Sequence, residues 1–305
     1  MLEVDLIDKV VHQKIRIISR KDIDISKWNQ CVDQSEYNGI YGLSWFLDSV
    51  TDQNWKAIVL ADYQSVLPFY SKKKVLIPYI TQPLLCQFFQ VYGDKIHEET
   101  LLDFAFRYFK RRFFKVDFNM KITFDREIYS GYKKTIKEMQ ILRLDNDYST
   151  LKKEYHRNTL RNIKGHLQYQ FTISKETDMQ LLEFIYTHDP SGILKKHKGG
   201  VQNLCMTAMK NCDSYFMVAK VHTDIIGVGF FIETSHYILF MLSAMNAMGR
   251  RLKISYSIID RIISEKAKSG KILDFGGSTL PSIARRNLSF GSESDQYHYY
   301  SHSIL

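Results

Sequence analysis

The sequence lacks the features that would mark a membrane or secreted protein. Its longest apolar runs, such as YILFML at 237–242, fall far short of the ~20 residues that a membrane-spanning helix needs. The first residues, MLEVDLIDKVV, carry acidic side chains where a secretory signal peptide has a basic segment. We therefore expect a cytoplasmic protein without a transmembrane segment.

Cysteine is scarce, with four residues in 305 and no C-x-x-C pair. Cys205 and Cys212 are seven residues apart in a segment of helical periodicity, which is too far for a disulfide. The ten histidines show no H-E-x-x-H or similar spacing, so we expect no structural metal and reduced thiols. A G-x-S-x-G elbow is also missing, which argues against an α/β-hydrolase.

The composition is typical of a folded protein with two cores. Hydrophobic residues make up 45% of the chain and charged residues 25%, and a length of 305 residues suits two domains of about 150. The 42 basic residues exceed the 33 acidic ones, which gives a net charge of +9. This charge is compatible with a phosphate-bearing ligand such as a nucleotide or tRNA, but it does not require one.

The most informative pattern is an internal repeat. Residues 55–70 (WKAIVLADYQSVLPFY) have the pattern of a strand, a polar turn and a second strand. Residues 215–230 (YFMVAKVHTDIIGVGF) have the same pattern 160 residues later. A third strand is predicted in both copies, over 75–80 and over 237–243.

The repeat continues through a helix and one more strand. Apolar residues at helical spacing predict helices over 98–111 and 252–268. Each helix leads to a short strand, which contains Val-Asp-Phe at 116–118 and Leu-Asp-Phe at 273–275. The same order twice predicts a duplicated α/β unit in which helices flank a mixed β-sheet.

Three segments carry a resemblance to a known family. ILDFGGSTLPSIARRNLSFG at 272–291 resembles a C-terminal signature of Fem-like acyltransferases, which are bacterial members of the GNAT superfamily. YHRNTLRNIKGH at 155–166 resembles their R-R-N-I-R-K-A helix. LPFYSKKKVLIPY at 67–79, followed by Gln82-Pro83, resembles a stretch of their first unit.

The resemblance covers most of the chain and implies a fold and a reaction. The fold would be two tandem GNAT-like units, over 1–145 and 146–305. The reaction would transfer an acyl or aminoacyl group to an amine acceptor, in cell-envelope or surface-polymer metabolism as one setting. The co-substrate would be an acyl-CoA or an aminoacyl-tRNA, with no tightly bound cofactor and no metal.

Two departures from the family pattern bear on the co-substrate. The residue after Ile-Ala-Arg285 is Arg286, where the family has an aromatic residue. The GNAT phosphate loop, (Q/R)-x-x-G-x-(G/A), reads NAMGRR at 246–251, with Arg251 where a small residue normally lets the backbone approach a pyrophosphate. This departure disfavours ordinary acetyl-CoA binding and is compatible with aminoacyl-tRNA, which Fem-type enzymes use.

The turn at 246–251 is the candidate donor site. Amides at a helix N-terminus would face a phosphate, and two arginines would add charge-assisted hydrogen bonds. The alternative is a capped turn with solvated arginines. The candidate phosphate-binding residues are Ser243, Asn246, Gly249, Arg250 and Arg251.

Two other segments are candidates for binding the substrate. The helix near 151–166 carries a basic stripe that would follow a phosphate backbone, although such a stripe is more often a solvated face. The turn after 272–275 has two glycines that would allow close approach of a ligand, but the same residues suit an ordinary turn. The candidate substrate-binding residues are Arg157, Arg161, Asp274, Gly276, Gly277, Ser278 and Arg285.

No catalytic base can be identified from the sequence. A bulged strand would supply an oxyanion donor from its backbone, and 242–245 is where we expect it. Glu233, His236 and Tyr256 could carry protons, but each is more typical of packing or of the surface.

Only the second unit carries the arginine-containing loop and the two-glycine turn, so we expect the ligand site there and a scaffold role for the first unit.

Two alternatives to an acyltransferase stay open. One is a non-catalytic GNAT-fold protein that binds RNA or a phosphorylated ligand in a basic cleft. The other is a structural partner in surface-polymer assembly.

Overall fold

The chain folds into two compact units, which we call unit 1 and unit 2. The computed structural model describes residues 14–35, 39–122, 131–165, 170–277 and 280–304. Unit 1 comprises Met1–Lys137 with Gln296–Leu305, and unit 2 comprises Glu138–Asp295. A single cut at 145/146 does not describe this division, because the last strand of the chain pairs within unit 1.

Unit 1 is built on a mixed sheet with the strand order β1-β2-β3-β4-β6-β13, in which β5 also pairs with β3. Nearly all of β2 and the first six residues of β3 are buried, as is typical of strands covered on both sides. The strands are β1 (Ile15–Ser19), β2 (Trp55–Leu60), β3 (Ser65–Lys74), β4 (Ile77–Ile80), β5 (Tyr92–Gly93), β6 (Lys115–Met120) and, from Gln296 onward, β13 (Glu293–Ser303).

The helices of unit 1 are α1 (Ile25–Asp33), α2 (Ser44–Thr51) and α3 (Glu98–Arg112) among the described residues, with 3-10 turns at Arg20–Asp22, Ile40–Gly42 and Lys95–His97. In α3, acidic residues occupy the first turn and basic residues the last, which complements the helix dipole. Its apolar stripe, which includes Leu101, Ala105 and Phe109, is buried.

In unit 2 the strand order is β7-β12-β11-β10-β9-β8, and the pairing is again mixed. Its strands are, from Glu138 onward, β7 (Lys133–Arg143), then β8 (Phe171–Glu176), β9 (Asp213–Val221), β10 (Asp224–Glu233), β11 (Tyr237–Met245) and β12 (Ile272–Gly277). Its helices are α4 (Tyr148–Lys153), α5 (Arg157–Gly165), α6 (Leu181–His188), α7 (Ile193–Lys196), α8 (Lys198–Asn211), α9 (Ala247–Arg251), α10 (Ile254–Lys266) and α11 (Pro281–Leu288).

The predicted repeat is confirmed strand by strand. In unit 1 the antiparallel strands β2, β3 and β4 lead through α3 to β6, which pairs parallel to β4 at Tyr79↔Lys115. In unit 2 the antiparallel strands β9, β10 and β11 lead through α10 to β12, which pairs parallel to β11 at Tyr237↔Ile272. Both units therefore have a mixed sheet with the same crossover connection.

Some element boundaries differ from the prediction for local reasons. The helix predicted over 252–268 begins at Ile254, because Lys253 takes a left-handed conformation with φ 51°. The third strand predicted over 75–80 begins at Ile77, because Val75 and Leu76 form the turn of a hairpin. The stretch 246–251, predicted as a turn, forms the short helix α9.

Close packing fixes α9 against β10 in unit 2. A Cβ atom on Gly249 would lie 1.9 Å from the carbonyl oxygen of Ile226, so only glycine fits this approach of helix and strand. Gly227 leaves room in the same way for Met245 and Ile254. These contacts position the end of β11 and the start of α10, between which the candidate site lies.

Candidate functional site

The site begins where two parallel strands of unit 2 separate. Among the described residues, β11 and β12 pair only from Tyr237↔Ile272 to Leu239↔Asp274, although β11 continues to Met245. Beyond a register shift, β12 instead continues its pairing with β7, at Gly277↔Met139. One edge of β11 after Leu239 thus has no strand partner among the described residues. Such an edge presents backbone N–H groups that a ligand can engage.

A β-bulge lies in this stretch of β11. Phe230 of β10 pairs with Leu242, and the next residue, Phe231, pairs with Phe240, so Met241 is the extra residue. A bulge changes the direction of the backbone groups beside it. We expected the bulge within 242–245, and the structure places it one residue earlier.

A cavity of about 400 Å³ opens at the end of β11, a volume within the range of small-molecule sites. The ends of four helices, α6, α9, α10 and α11, meet the strand there. Its lining residues are Thr187, His188, Asp189, Pro190, Ser243, Ala244, Met245, Arg250, Ser255 and Arg286.

Arg286 is the most unusual of the lining residues. Its side chain is half-buried, and its Cζ atom lies 5.9 Å from the centre of the Phe240 ring. Two of its N–H groups donate to Oδ1 of Asn287, at 3.1 Å from Nε and 2.9 Å from Nη2. Asn287 is itself fully buried and donates to Gln140 at 3.3 Å. The guanidinium is therefore held in place, with three of its five N–H groups lacking an acceptor among the described residues.

No carboxylate neutralises Arg286 among the described residues. Burial lowers the pKa of Arg286 to about 10, against a smaller opposing influence of Tyr256. The side chain still carries its charge at neutral pH, because that pKa lies well above 7. A desolvated cation without a counter-charge is costly, so an anionic ligand would improve the energetics of this cavity.

Asp189 also lines the cavity, but its oxygens are already used. They accept from the backbone N of Ser191 at 3.0 Å, from its Oγ at 2.8 Å, and from the backbone N of Leu194 at 3.0 Å. Burial would raise the pKa of Asp189, but these hydrogen bonds outweigh it and the pKa is lowered. Asp189 thus remains ionised and shapes the loop after α6.

The predicted donor residues are placed in two groups. Ser243 and Arg250 line the cavity, and one guanidinium nitrogen of Arg250 donates to the carbonyl oxygen of Met245. Asn246 instead caps α9: its Oδ1 accepts from N of Gly249 at 2.8 Å, and its Nδ2 donates to the carbonyl of residue 225 at 3.0 Å. Anion recognition here would rest on the Arg250 side chain, because the Gly249 amide is already bonded.

The remaining donor residue, Arg251, is exposed and does not line the cavity. The exposed Arg157 and Arg161 of α5 lie outside the lining as well, and Arg161 donates to Asn158 of its own helix at 2.7 Å. Ligand binding by these three arginines therefore stays a prediction, and it would need a ligand that extends beyond the cavity.

The two glycines that we predicted in a turn after the strand lie at the end of β12 itself, which extends to Gly277. Asp274 is fully buried, and its Oδ1 accepts from N of Gly276 at 2.8 Å. Gly276 has φ 71°, a conformation that favours glycine, and Gly277 pairs with β7. Arg285 is exposed, and its Nε donates to the carbonyl of residue 281 at 3.3 Å. Ser278 lies outside the described residues.

The three weaker proton-transfer candidates do not line the cavity. Glu233 is buried and accepts from Tyr215 and from two lysines, an arrangement that stabilises the fold. His236 is exposed at the β10–β11 turn. Tyr256 packs against Phe290, with ring centres 5.7 Å apart.

His188, Asp189 and Arg286 are cavity residues that sequence reasoning did not place in the site. Arg286 was visible as a departure from the family pattern, and that departure was the usable signal. The loop at 187–190 carried no comparable signal, because a Thr-His-Asp-Pro stretch after a helix is typical of a helix end.

Two further features of the described residues bear on the class of protein. None of their helices is long and apolar enough to cross a membrane. In the same part of the chain, no group of three His, Cys, Asp or Glu side chains is arranged to hold a metal ion.

Comparison with known proteins establishes the fold. No protein-family model matches the sequence, and neither does any curated protein. A solved structure described as FemX has a TM-score of 0.65 at 12% identity, and the match covers 93% of this chain and 96% of that chain. L-PGS from Bacillus licheniformis has a TM-score of 0.56 at 10% identity, with 92% of each chain covered.

A tandem GNAT protein from the clavulanic acid biosynthesis pathway has a TM-score of 0.55 at 9% identity, with 94% of this chain and 98% of that chain covered. The predicted fold class, two tandem GNAT-like units with mixed sheets, is therefore confirmed. The similarity to Fem-like proteins holds at the level of this fold. At such identities the fold alone is shown, and a shared fold does not fix the reaction.

Proposed function

We propose that unit 2 catalyses transfer of an acyl or aminoacyl group to an amine acceptor in the cavity at the end of β11. The observation that carries this proposal is a cationic cavity beside an unpaired, bulged strand edge. The edge offers backbone N–H donors, and Arg286 offers a positive charge that no carboxylate among the described residues neutralises. Together they match the needs of an anionic substrate and of a carbonyl that gains negative charge.

The proposed reaction is a direct attack on the donor. The amine nitrogen forms a bond to the donor's carbonyl carbon, and the C–S bond of a thioester or the C–O bond of an aminoacyl ester breaks. Backbone N–H groups near Met241 would stabilise the negative charge on the carbonyl oxygen. Positioning of both substrates would supply much of the rate.

A proton must move from the amine to the leaving group. The imidazole of His188 and the carboxylate of Asp189 both line the cavity. Because the oxygens of Asp189 already accept three hydrogen bonds, we assign the proton transfer to His188. This assignment predicts that His188→Gln slows transfer by about 10²–10⁴-fold and leaves donor binding intact.

The co-substrate is proposed to carry phosphate, as an acyl-CoA or an aminoacyl-tRNA. Arg250 at the cavity and the exposed Arg157 and Arg161 of α5 would suit the longer ligand, tRNA. The contact of α5 with the start of α10, where Nζ of Lys253 donates to Oδ1 of Asn162 at 3.2 Å, supports this proposal. The reaction is proposed to take place in the cytoplasm, with an amine of the cell envelope or of a surface polymer as one class of acceptor.

The test is a transfer assay read by mass spectrometry. Acyl-CoAs and charged tRNAs would be offered with amines, lipid-linked amines and peptides as acceptors. Transfer by the wild type should fall at least tenfold in Arg286→Gln and remain in Arg261→Gln, which removes an exposed arginine paired with Glu265. Transfer that is equal in wild type and Arg286→Gln would contradict the proposed site.

A second candidate function is supported by a specific observation. The exposed arginines of α5 would bind RNA without any transfer chemistry. RNA binding would then weaken steeply with salt and would be unaffected by Arg286→Gln. Binding with that salt dependence and no transfer to any acceptor would favour this non-catalytic function.

A further inference from the structure

The β3–β4 hairpin of unit 1 ends in an exposed apolar turn. Lys74 and Ile77 form the last pair of the hairpin, so Val75 and Leu76 are its two turn residues. Val75 is 89% exposed, Leu76 83% and Ile77 48%. We call Lys72–Ile77 the hairpin tip. Three consecutive large apolar side chains in solvent need an explanation, whereas single ones do not.

The conformation of the turn does not explain why its residues are apolar. Val75 has φ 59°, a left-handed conformation that a β-branched residue rarely adopts. Two-residue hairpin turns favour glycine, asparagine or aspartate, which would satisfy the backbone and also be more soluble. The hairpin tip therefore has apolar side chains where local structure favours polar ones. Such a conflict between local preference and sequence is expected at functional positions.

Positive charge lies directly behind the apolar end. Lys72, Lys73 and Lys74 are all exposed, and none forms an ion pair with a carboxylate among the described residues. The Nζ atom of Lys72 lies 5.3 Å from the centre of the Tyr70 ring, which turns that ammonium along the strand. At a rise of ~3.3 Å per residue, the lysines occupy roughly the first 10 Å behind the turn.

We propose that the hairpin tip docks unit 1 onto an anionic lipid bilayer. Val75, Leu76 and Ile77 would enter the boundary between headgroups and acyl chains, where surface-bound segments bury apolar side chains about 5–10 Å deep. The three lysines would then lie at the level of the lipid phosphates. A bilayer with anionic headgroups has an apolar layer beneath a negatively charged surface. The hairpin tip matches this order, because its apolar residues lie at the end and its lysines lie behind them.

The lysines and the apolar turn residues should make different contributions to bilayer binding. A lysine near an anionic surface contributes about 1 kcal/mol, which is about fivefold in a partition coefficient. Loss of all three lysines should therefore weaken binding on the order of 100-fold. Binding should also fall as salt rises, because surface charges are screened. Replacement of the two turn residues by polar ones should remove binding at any salt concentration.

The experiment is sedimentation of the full chain with vesicles of phosphatidylglycerol and phosphatidylcholine, against vesicles of phosphatidylcholine alone. The tested variants are Lys72→Gln with Lys73→Gln and Lys74→Gln, and Val75→Gly with Leu76→Asn. The second variant places glycine at the turn position that has the positive φ, so it is expected to keep the fold. The matched control is Ile96→Ser, which removes an apolar residue of unit 1 that is 75% exposed.

The expected result is binding to the anionic vesicles, lost in both tip variants and kept in Ile96→Ser. The fluorescence of the tryptophan in a Leu76→Trp variant should also be quenched by brominated acyl chains, and this quenching reports insertion directly. Equal binding to both vesicle types, no binding by the wild type, or unchanged binding by the tip variants would overturn the proposal. Self-association that the tip variants abolish would overturn it too and assign the hairpin tip to a second copy of the chain. None of these readouts depends on acyl transfer.

Discussion

Replacement of Arg286 by glutamine should have opposite effects on the free protein and on ligand binding. The change removes the desolvated charge from the cavity of unit 2. Glutamine is the informative choice because its amide can still donate to Oδ1 of Asn287, which would otherwise be left buried without a donor. Arg286→Gln therefore removes the charge and keeps a hydrogen bond to Asn287.

The effect on the free protein follows from the pKa of Arg286, which burial lowers from 12.5 to about 10. One pKa unit corresponds to about 1.4 kcal/mol, so the protonated side chain costs the folded state up to about 3 kcal/mol. Because the folded pKa lies below the unfolded one, this cost is present at every pH below about 10 and is relieved only above it. Relaxation reduces the cost, and Arg286→Gln should raise stability by about 1–2 kcal/mol, or ~2–8 °C in Tm.

Ligand binding should change in the other direction. A hydrogen bond to a charged group contributes about 1.5–3 kcal/mol, so the Kd of an anionic substrate should rise about 10–150-fold. In the wild type, ligand at 100 times its Kd stabilises the folded protein by about 2.7 kcal/mol, and most of this gain should vanish in the variant. The assay is thermal unfolding with and without coenzyme A and uncharged tRNA.

The control is Arg261→Gln, which removes a charge from an exposed pair on the surface of α10. Such pairs contribute little, so neither the stability nor the response to ligand should change. The opposite result would be that Arg286→Gln destabilises the free protein by more than about 1 kcal/mol and leaves the ligand response unchanged. Arg286 would then be a structural residue.

Three further predictions concern the frame around the site. Glu233→Gln should lower the free energy of unfolding in denaturant by about 3–5 kcal/mol, because it leaves two half-buried lysines unpaired. In the wild type, these lysines outweigh the effect of burial and lower the pKa of Glu233. The stability that Glu233 contributes should therefore be present above pH ~4.3 and lost below it. Gly249→Ala should destabilise unit 2 by more than about 3 kcal/mol in the same assay, because its Cβ would lie 1.9 Å from the carbonyl oxygen of Ile226. In calorimetry, Arg250→Gln should raise the Kd of the donor about tenfold or more. A similar rise in Arg251→Gln would show that the ligand extends beyond the cavity.

The fold could be predicted because its information is local and occurs twice. Strand periodicity, turn residues and helical stripes recur at 55–70 and 215–230, and each copy repeats the same order of elements. The pairing of the last strand, β13, with β6 of unit 1 could not be predicted in this way. Pairing of Tyr300 with Phe118 joins residues that are far apart in the chain, and no periodicity reports such a contact.

The site could be predicted only in part, from a loop that resembles the family pattern. Arg250 lies in that loop and Ser243 precedes it, and both line the cavity. His188 and Arg286 come to the same cavity from the ends of different helices, and their convergence depends on how α6 and α11 meet the end of β11. The capping role of Asn246 was also hidden, because an asparagine before a helix can bind either the backbone or a ligand.

Hydrogen exchange of the full chain, measured with and without coenzyme A and uncharged tRNA, tests whether unit 2 holds the co-substrate in the cavity at the end of β11. We expect slower exchange in peptides that cover 187–190, 243–255 and 281–288 for at least one of the two ligands. Protection confined to the unit 1 loop near Gly93, or no protection with either ligand, would contradict it.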